Sequence, residues 1–380
     1  MKRNRFSQVV LLFAITIFFV ICKNSTESIS NPTLNKPDYD LTGNKMLIIS
    51  TPEYETALSG FINWKKEKGL DVELDVSSAG KGINAVKTKL KEKYENDGLT
   101  YIILVGDIDD VPSPMYQGYP SDPSYALLDG DDFIGDAFIS RIPVNNTTEL
   151  HNILNKIIIY EKALFENTEW LKTAVIPQTI EFNGQELADA IESAMKDNPE
   201  YFNRIIKVME NEPDPEAKLL ESIEKYGAHM IVYNSHGSET EFGNIRFSVN
   251  DIKNLKFPEK CFPIIHGCGC LTGNFAFNGG NCLAETALKT GTLSRPAGPV
   301  AMLAFTCPAN PGPAMTAQRE LFTNMYYNKD KYKTFGALCY YSNLYAMNKY
   351  GEIEAEKHYK KCHLFGDCSM IVWKTAPGQN

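Results

Sequence analysis

The 380-residue chain is 43% hydrophobic and 22% charged, an ordinary globular composition with enough length for one large domain or two modest ones. Its net charge of -9 argues against nucleic acid or an anionic membrane surface as a partner, because both attract basic proteins. Part of the acidic excess is concentrated in one region, which contains Asp107, Asp109, Asp110, Asp122, Asp129, Asp131, Asp132 and Asp136.

The first 22 residues have the pattern of an export signal. Three basic residues near the start precede a run from Val9 to Cys22 that is apolar apart from Thr16. This run is short for a membrane-spanning helix and suits the core of a signal peptide. We therefore expect a signal peptide at 1–22, a polar linker at 23–43, and a secreted or cell-envelope protein. An uncleaved N-terminal membrane anchor is the alternative.

The nine cysteines are distributed unevenly, since only Cys22 lies before residue 261. Exported proteins commonly contain disulfides. Any disulfides of this chain are therefore expected in its C-terminal half, and the spacing does not indicate which cysteines pair.

Short apolar runs then alternate with amphipathic stretches. The spacing predicts strands at 46–51, 71–76 and 101–107 and helices at 54–69 and 84–96. Strands alternating with helices predict a parallel sheet covered by helices on both faces. In such a sheet, chemistry collects at the carboxyl ends of the strands.

The same alternation returns in the second half of the chain. It predicts strands at 172–179, 204–209, 229–234, 262–267 and 299–305, and helices at 184–196, 214–227, 314–327 and 335–348. We therefore expect two α/β units, a smaller one at 44–165 and a larger one at 166–374.

Two of the predicted strands run into residues suited to nucleophilic catalysis. The strand at 229–234 leads to His236, and the strand at 262–267 leads to Cys270. Thiol catalysis needs a thiolate at the carbonyl carbon and an imidazole near the leaving nitrogen. The backbone N–H groups of Gly237 and Cys270 are candidates for stabilising the oxyanion, since a glycine lets substrate approach the main chain.

The same residues allow other interpretations. His266, Cys268 and Cys270 are ligand types for zinc, although alternate residues share a face only as long as the strand continues. Ser235 is a second possible nucleophile, but the G-x-S-x-G pattern is absent around it. Histidines and cysteines are also common constituents of a protein core.

Several segments resemble the gingipain-type cysteine peptidases, family C25 of the caspase-like clan. The segments that carry the histidine and cysteine motifs are IVYNSHGSETEFG at 231–243 and IIHGCGCLTGNFAF at 264–277. Similar stretches follow the same order at 61–73, 99–112, 121–127, 136–143, 282–288 and 364–372. The resemblance covers about residues 45–374, and several motifs in order are a specific signal. It implies a caspase-like α/β/α sandwich with a mostly parallel sheet and a smaller N-terminal α/β subdomain.

The resemblance also implies roles for individual residues. Cys270 matches the nucleophile, His236 the general acid and base, and Glu181 the carboxylate that orients and charges the imidazole. The implied function is a secreted cysteine endopeptidase that acts on polypeptides and uses no organic cofactor. A transpeptidase or maturation enzyme and a catalytically silent binding protein are the alternatives, and the intact set of three residues argues against silence.

The segment DGDDFIGD at 129–136 concentrates carboxylates in a turn-prone stretch, as a calcium-binding loop requires. It lacks the spacing of an EF-hand. The resemblance implies a structural calcium ion bound by the side chains of Asp107, Asp132 and Asp136 and by the backbone carbonyls of Asp129 and Ile134. A solvated acidic loop is the alternative.

Two departures from the family concern substrate choice. The acidic residue at the floor of the S1 pocket in arginine-preferring members falls on either Glu186 or Leu187. The family's aromatic lid falls near Pro311, where no aromatic residue stands. A preference for a basic P1 residue, the substrate residue before the cleaved bond, therefore does not carry over.

Overall fold

The computed structural model describes residues 43–197, 201–327 and 331–373. The predicted signal peptide at 1–22 and the linker up to residue 42 lie outside these ranges. Within the described ranges, no helix combines the length and apolar character that a membrane-spanning segment needs.

The first half of the described chain alternates strands with helices as the sequence predicts. Its strands are β1 (Lys45–Ile49), β2 (Asp71–Asp75), β3 (Leu99–Val105), β4 (Met115–Tyr116), β5 (Tyr119–Pro120) and β6 (Phe138–Ile142). Its helices are α1 (Glu55–Glu67), α2 (Ile83–Asp97) and α3 (Thr147–Glu161). Helix α3 is preceded by Asn146, whose side chain accepts a hydrogen bond from the backbone N–H of Glu149 and so caps the first turn.

The second half repeats the alternation with more elements. Its strands are β7 (Thr173–Gln178), β8 (Arg204–Met209), β9 (Met230–Asn234), β10 (Gly237–Ser238), β11 (Glu241–Phe242), β12 (Phe247–Ser248), β13 (Ile264–Cys268), β14 (Ala301–Phe305) and β15 (Cys362–Phe365). Its helices are α4 (Gly184–Lys196), α5 (Pro215–Tyr226), α6 (Val249–Asn254), α7 (Leu283–Lys289), α8 (Pro311–Tyr327), α9 (Phe335–Tyr350) and α10 (Glu352–Lys361).

A ten-stranded sheet in the order β2-β1-β3-β6-β15-β14-β13-β9-β7-β8 forms the centre of the described residues. Each half of this sheet is parallel, and the direction reverses at the antiparallel pair β14 and β15. With helices packed on the sheet, this is the caspase-like α/β architecture expected from the sequence. The sheet continues across the boundary between 44–165 and 166–374, so the division into two subdomains stays a prediction.

The reversal divides the carboxyl ends of the strands between two edges of the sheet. Carboxyl ends of parallel strands share an edge, and each parallel half has its own. Because β14 and β15 are antiparallel, β3 and β6 end at the opposite edge of the sheet from β13 and β9. Side chains that follow β3 are therefore separated from side chains that follow β13 by the length of the strands.

A buried ion pair joins strand β6 to the helical turn that follows β5. Arg141 donates from Nε and Nη2 to the two carboxylate oxygens of Asp122 at 2.7 and 2.8 Å. Its remaining N–H groups donate to the backbone carbonyls of Gly106 and Val111, each at 2.9 Å. Burial alone would raise the pKa of Asp122, but Arg141 holds it below its ordinary value. One member of the acidic region is therefore part of the core.

Candidate active site

Three neighbouring parallel strands, β13, β9 and β7, end level with one another. Their registers align the last residues of the three strands, Cys268, Asn234 and Gln178. Cys270 and His236 follow two residues after the ends of their strands, and Glu181 follows three residues after the end of β7. The sheet therefore delivers the three predicted residues to one edge.

His236 and Glu181 are in direct contact at this edge. Nε2 of the imidazole lies 3.0 Å from Oε2 of Glu181, and the two side chains are 58% and 53% exposed. The ring of Phe182 packs edge-on against the imidazole at 5.4 Å between centroids. The exposed imidazole of His236 is thus held by a carboxylate at Nε2 and by the ring of Phe182 against one of its sides.

The His236 loop packs directly on the cysteine loop. A Cβ atom placed on Gly237 would lie only 2.9 Å from the carbonyl oxygen of Cys270 and 2.8 Å from the methyl group of Thr272. No larger residue fits without a shift of the backbone, so glycine is required for this close approach. The loop is closed by a hydrogen bond of 2.9 Å from the N–H of Gly243 to the carbonyl of His236.

The thiol of Cys270 is partly exposed and has a backbone donor. The N–H of Ala309 lies 3.3 Å from Sγ of Cys270, in the segment that follows strand β14. The next residue, Leu271, has a φ of 64°, a left-handed conformation that turns the chain sharply after the thiol. Strand β13, the turn and the β14 segment together fix the position of Sγ.

Cys268 has a different environment although it stands two residues away. It is 4% exposed and lies 3.7 Å from both Nδ1 of His266 and Nε2 of Gln318. Burial raises the pKa of Cys268 well above its ordinary value, so this thiol stays protonated.

The alternatives for zinc and for a serine nucleophile gain no support from the geometry. Within the described ranges, no three His, Cys, Asp or Glu side chains form a group that could hold a metal ion. His266, Cys268 and Cys270 therefore do not form a zinc site. Ser235 is buried, and its Oγ donates to Oδ1 of Asn244 at 2.6 Å.

The described cysteines carry free thiols, and all of them except Cys270 are buried: Cys261, Cys268, Cys282, Cys307, Cys339, Cys362 and Cys368. The C-terminal concentration of cysteines therefore reflects core packing in this part of the chain, where small apolar thiols pack well.

A cleft of about 420 Å³ opens beside Phe182. Helix α4 contributes both Glu186 and Leu187 to its lining, and Pro311 lines it from the start of α8. The two positions left open by the sequence therefore face the same cleft as the lid position. The lining also contains Asn183, Ala190, Gly312, Met315, Thr316, Arg319, Lys349 and Tyr350.

The structure does not bring together the side chains predicted to bind calcium. Asp107 follows the carboxyl end of β3, where its Oδ2 accepts a hydrogen bond from Asn145 at 2.7 Å. Asp136 precedes the amino end of β6, and β3 and β6 are parallel, so Asp107 and Asp136 lie at opposite ends of this strand pair. The distance along the strands is about 25 Å at the usual rise per residue. One ion cannot bind both side chains.

The remaining predicted ligands lie in a single loop. Oδ2 of Asp136, which is 3% exposed, accepts hydrogen bonds from the N–H groups of Leu128 and Asp129 at 2.7 and 2.9 Å. Asp132 accepts one from the N–H of Ile134 at 2.8 Å. These contacts fold the loop on itself. Calcium binding by this loop stays a prediction.

Several residues of the site were not identified from the sequence. Ala309 contributes only a backbone N–H, and residues Met315 to Tyr350 of the cleft belong to helices α8 and α9, far from the motifs. Ala309 was accessible to the strand-end argument, because β14 lies beside β13 and the segment after it must reach the same edge.

Comparison with known proteins places this geometry in context. A family model described as Peptidase family C25 matches residues 39–373. Gingipain R2 of Porphyromonas gingivalis is 28% identical over 349 residues, which cover 88% of this chain and 46% of that protein. Lys-gingipain of the same organism is 26% identical over 248 residues, which cover 61% of this chain and 14% of that protein. The chain spans less than half the length of these curated relatives.

Solved structures show the same fold. The crystal structure of the Arg-specific cysteine proteinase gingipain R superposes with a TM-score of 0.81 and 26% identity. The superposition covers 90% of this chain and 80% of that one.

Proposed function

Because the chain belongs to peptidase family C25, we propose that it is a cysteine endopeptidase in which Cys270 is the nucleophile, His236 the general acid and base, and Glu181 the carboxylate that orients the imidazole. The observation that carries this proposal is the level ending of β13, β9 and β7, which places the three residues at one edge of the sheet. The contact of 3.0 Å between His236 and Glu181 supports the assignment of the pair.

We propose a separate task for each nitrogen of the imidazole. Nε2–H donates to Glu181, which leaves Nδ1 to take the proton of the Cys270 thiol and to deliver it to the leaving amine. The thiolate then attacks the carbonyl carbon of the peptide, the amine departs with the proton, and water hydrolyses the thioester. Glu181 stabilises the imidazolium that forms between these steps.

We propose the backbone N–H groups of Gly237 and Cys270 as donors to the oxyanion. The contact between Gly237 and the carbonyl of Cys270 supports this, since it shows how closely the two backbones approach. Removing one preorganised oxyanion donor costs about 2.7–4 kcal/mol of transition-state stabilisation in related chemistry.

The cleft beside Phe182 is proposed to receive the P1 side chain. Relatives are named for arginine or lysine specificity. Here one carboxylate, Glu186, shares the lining with two cations, Arg319 and Lys349. The two cations repel a basic side chain, so the relatives' preference for a basic P1 residue does not carry over to this cleft.

Two further parts of the proposal lie outside the catalytic edge. The pattern of residues 1–22 supports export to the cell envelope or beyond, and sequencing the N-terminus of the mature protein tests it.

The carboxylates of the loop at 129–136 support a structural calcium ion held by Asp129, Asp132, Ile134 and Asp136, without Asp107.

The test of the main proposal is digestion of a peptide library by the purified protein in water enriched in ¹⁸O. We expect new C-termini that carry ¹⁸O, read by mass spectrometry, and none with the Cys270→Ala variant. Products joined to added amines in place of water would indicate a transpeptidase. Intact peptides with the wild-type protein would contradict the proposal and favour a silent binding protein.

A further inference from the structure

The side chain of Glu210 lies beneath both loops that carry the His236–Glu181 pair. It is the first residue after strand β8, which pairs with β7, and its N–H donates to the carbonyl of Gln178 at 3.1 Å. Glu210 therefore lies beside the start of the loop that carries Glu181. None of the steps proposed above uses it.

One oxygen of Glu210 holds the Glu181 loop. Oε1 accepts hydrogen bonds from Oγ1 of Thr179 and from the N–H of Ile180, both at 2.8 Å. Oγ1 of Thr179 in turn accepts from the N–H of Glu181 at 3.0 Å. Three consecutive residues of this loop are therefore fixed by one carboxylate oxygen, directly or through one hydroxyl group.

The other oxygen reaches the His236 loop. Oε2 of Glu210 accepts from Nδ2 of Asn244, and Oδ1 of Asn244 accepts from Oγ of Ser235 at 2.6 Å. Ser235 is the neighbour of His236, and the N–H of Gly243, the neighbour of Asn244, donates to the carbonyl of His236. The second oxygen therefore fixes both ends of the His236 turn.

We propose that Glu210 is a positioning residue that sets the contact between Glu181 and His236. This inference rests on the proposed function, because the contact matters only if His236 moves protons. One rigid carboxylate joins two loops that come from different strands, and the imidazole–carboxylate distance depends on how these loops lie relative to each other. General acid–base catalysis is sensitive to this geometry and contributes about 10²- to 10⁴-fold to rates.

The hydrogen-bond polarity makes the proposal testable by exchange. Three donors converge on Glu210, so Asn244→Asp sets two carboxylates against each other. In the double variant Glu210→Gln with Asn244→Asp, the new amide donates to the new carboxylate. That carboxylate still accepts from Ser235, and Oε1 still accepts from Thr179 and Ile180. The network is thus restored, and only the hydrogen bond between positions 210 and 244 has its donor and acceptor exchanged.

Glu212 provides a matched control two residues along the chain. Its carboxylate accepts from Lys218 at 2.6 and 2.8 Å and from the N–H of Met209 at 3.0 Å, and it forms no hydrogen bond with the described residues of either loop of the pair. Glu212→Ala removes an acidic side chain from the same segment without touching the network.

The experiment measures kcat and KM on an amide substrate for each variant. We expect Glu210→Ala and Asn244→Asp to lower kcat by about 10- to 100-fold with KM within about twofold, the double exchange to recover most of kcat, and Glu212→Ala to match wild type. In a Glu181→Ala background, Glu210→Ala should cause little further loss, since the contact it sets is gone. A full, multiplicative loss in that background, or equal loss in Glu212→Ala, would overturn the inference.

A second measurement does not require activity. The imidazole ¹H–¹⁵N signals of His236 should shift in Glu210→Ala in the same direction as in Glu181→Ala and stay unchanged in Glu212→Ala. Unchanged His236 signals in a folded Glu210→Ala variant would overturn the positioning role. A wild-type protein that hydrolyses nothing while these signals shift would instead contradict the proposed function alone.

Discussion

At the scale of single residues, the site separates two cysteines that the sequence sets side by side. Cys268 closes strand β13 and is buried against His266 and Gln318, whereas Cys270 lies beyond the turn and is partly exposed. Burial keeps the Cys268 thiol protonated, and a protonated thiol is a poor nucleophile. The environment distinguishes the two cysteines where their spacing does not.

We therefore expect Cys270→Ala to lower peptide hydrolysis by at least about 10³-fold without loss of structure. Cys268→Ala should change kcat/KM less than about threefold, while the lost packing lowers the free energy of unfolding by about 1–2 kcal/mol. Activity assays and urea unfolding followed by circular dichroism measure both effects. Equal loss of activity in two folded variants would point instead to a joint role of the cysteines.

The cleft makes a residue-scale prediction about substrate choice. With the P1 side chain in this cleft, as proposed, Glu186 would attract a basic side chain and Arg319 an acidic one. Glu186→Gln should lower the ratio of kcat/KM for Arg over Glu at P1, and Arg319→Gln should raise it, each by about 3- to 10-fold, as expected for one exposed charge. Matched fluorogenic peptides measure the ratio. Changes of the same sign in both variants would show that this cleft does not hold the P1 side chain.

At the scale of elements, the sequence predicted eight strands of the ten-stranded sheet, and the two strands of that sheet that it missed are β6 and β15. Both contain a charged or polar residue at a buried position, Arg141 in β6 and His363 in β15. Their partner is Asp122, whose carboxylate accepts from Arg141 and whose N–H donates to His363. Periodicity cannot reveal a strand whose polar residue is satisfied by a distant partner.

The same limit applies to the site. The strand ends that carry His236 and Cys270 were predictable, because a parallel sheet collects its carboxyl ends. The direction reversal at β14 and β15 was not, since it depends on how the last strand enters the sheet. The grouping of Asp107 with Asp136 followed the family resemblance, whereas in the structure the two residues lie at opposite ends of the parallel pair β3 and β6.

The acidic loop allows a direct test of that difference. Excess calcium should raise the melting temperature of the wild-type protein, since a ligand bound only to the native state stabilises it by about 2.7 kcal/mol at 100 times Kd. Asp132→Asn should move the calcium midpoint to higher concentration, whereas Asp107→Asn should leave the midpoint unchanged. Differential scanning fluorimetry with chelator and graded calcium measures both. A wild-type melting curve indifferent to calcium would leave the loop as a solvated surface.

At the scale of the whole molecule, buried histidines link stability to pH. Burial lowers the pKa of His229 and His266 to about 3 and of His358 and His363 to about 4. In the unfolded chain these histidines take up protons near pH 6.5. The unfolded state therefore binds more protons below that pH, and stability falls as the pH drops from about 6.5 towards the folded values.

Each histidine contributes a slope of up to about 1.4 kcal/mol per pH unit over this window. We expect urea unfolding of the Cys270→Ala protein to show a much lower free energy of unfolding at about pH 5 than at about pH 7.5. His358→Gln retains a donor for Oδ1 of Asn343 and should make this dependence shallower. The same slope in both proteins would mean that His358 is protonated to the same extent in the folded and unfolded states, against the lowered folded pKa.

Strand β15 has a consequence for how the protein is made. It is the last strand along the described chain, yet it lies between β6 and β14 and is the element through which the two parallel halves join. During synthesis, which proceeds from the N-terminus, β6 and β14 each present an unpaired edge until residues 362–365 emerge. The sheet can close only at that moment. In a chain of this topology the two parallel halves of the sheet stay unjoined until residues 362–365 arrive, which delays completion of the fold.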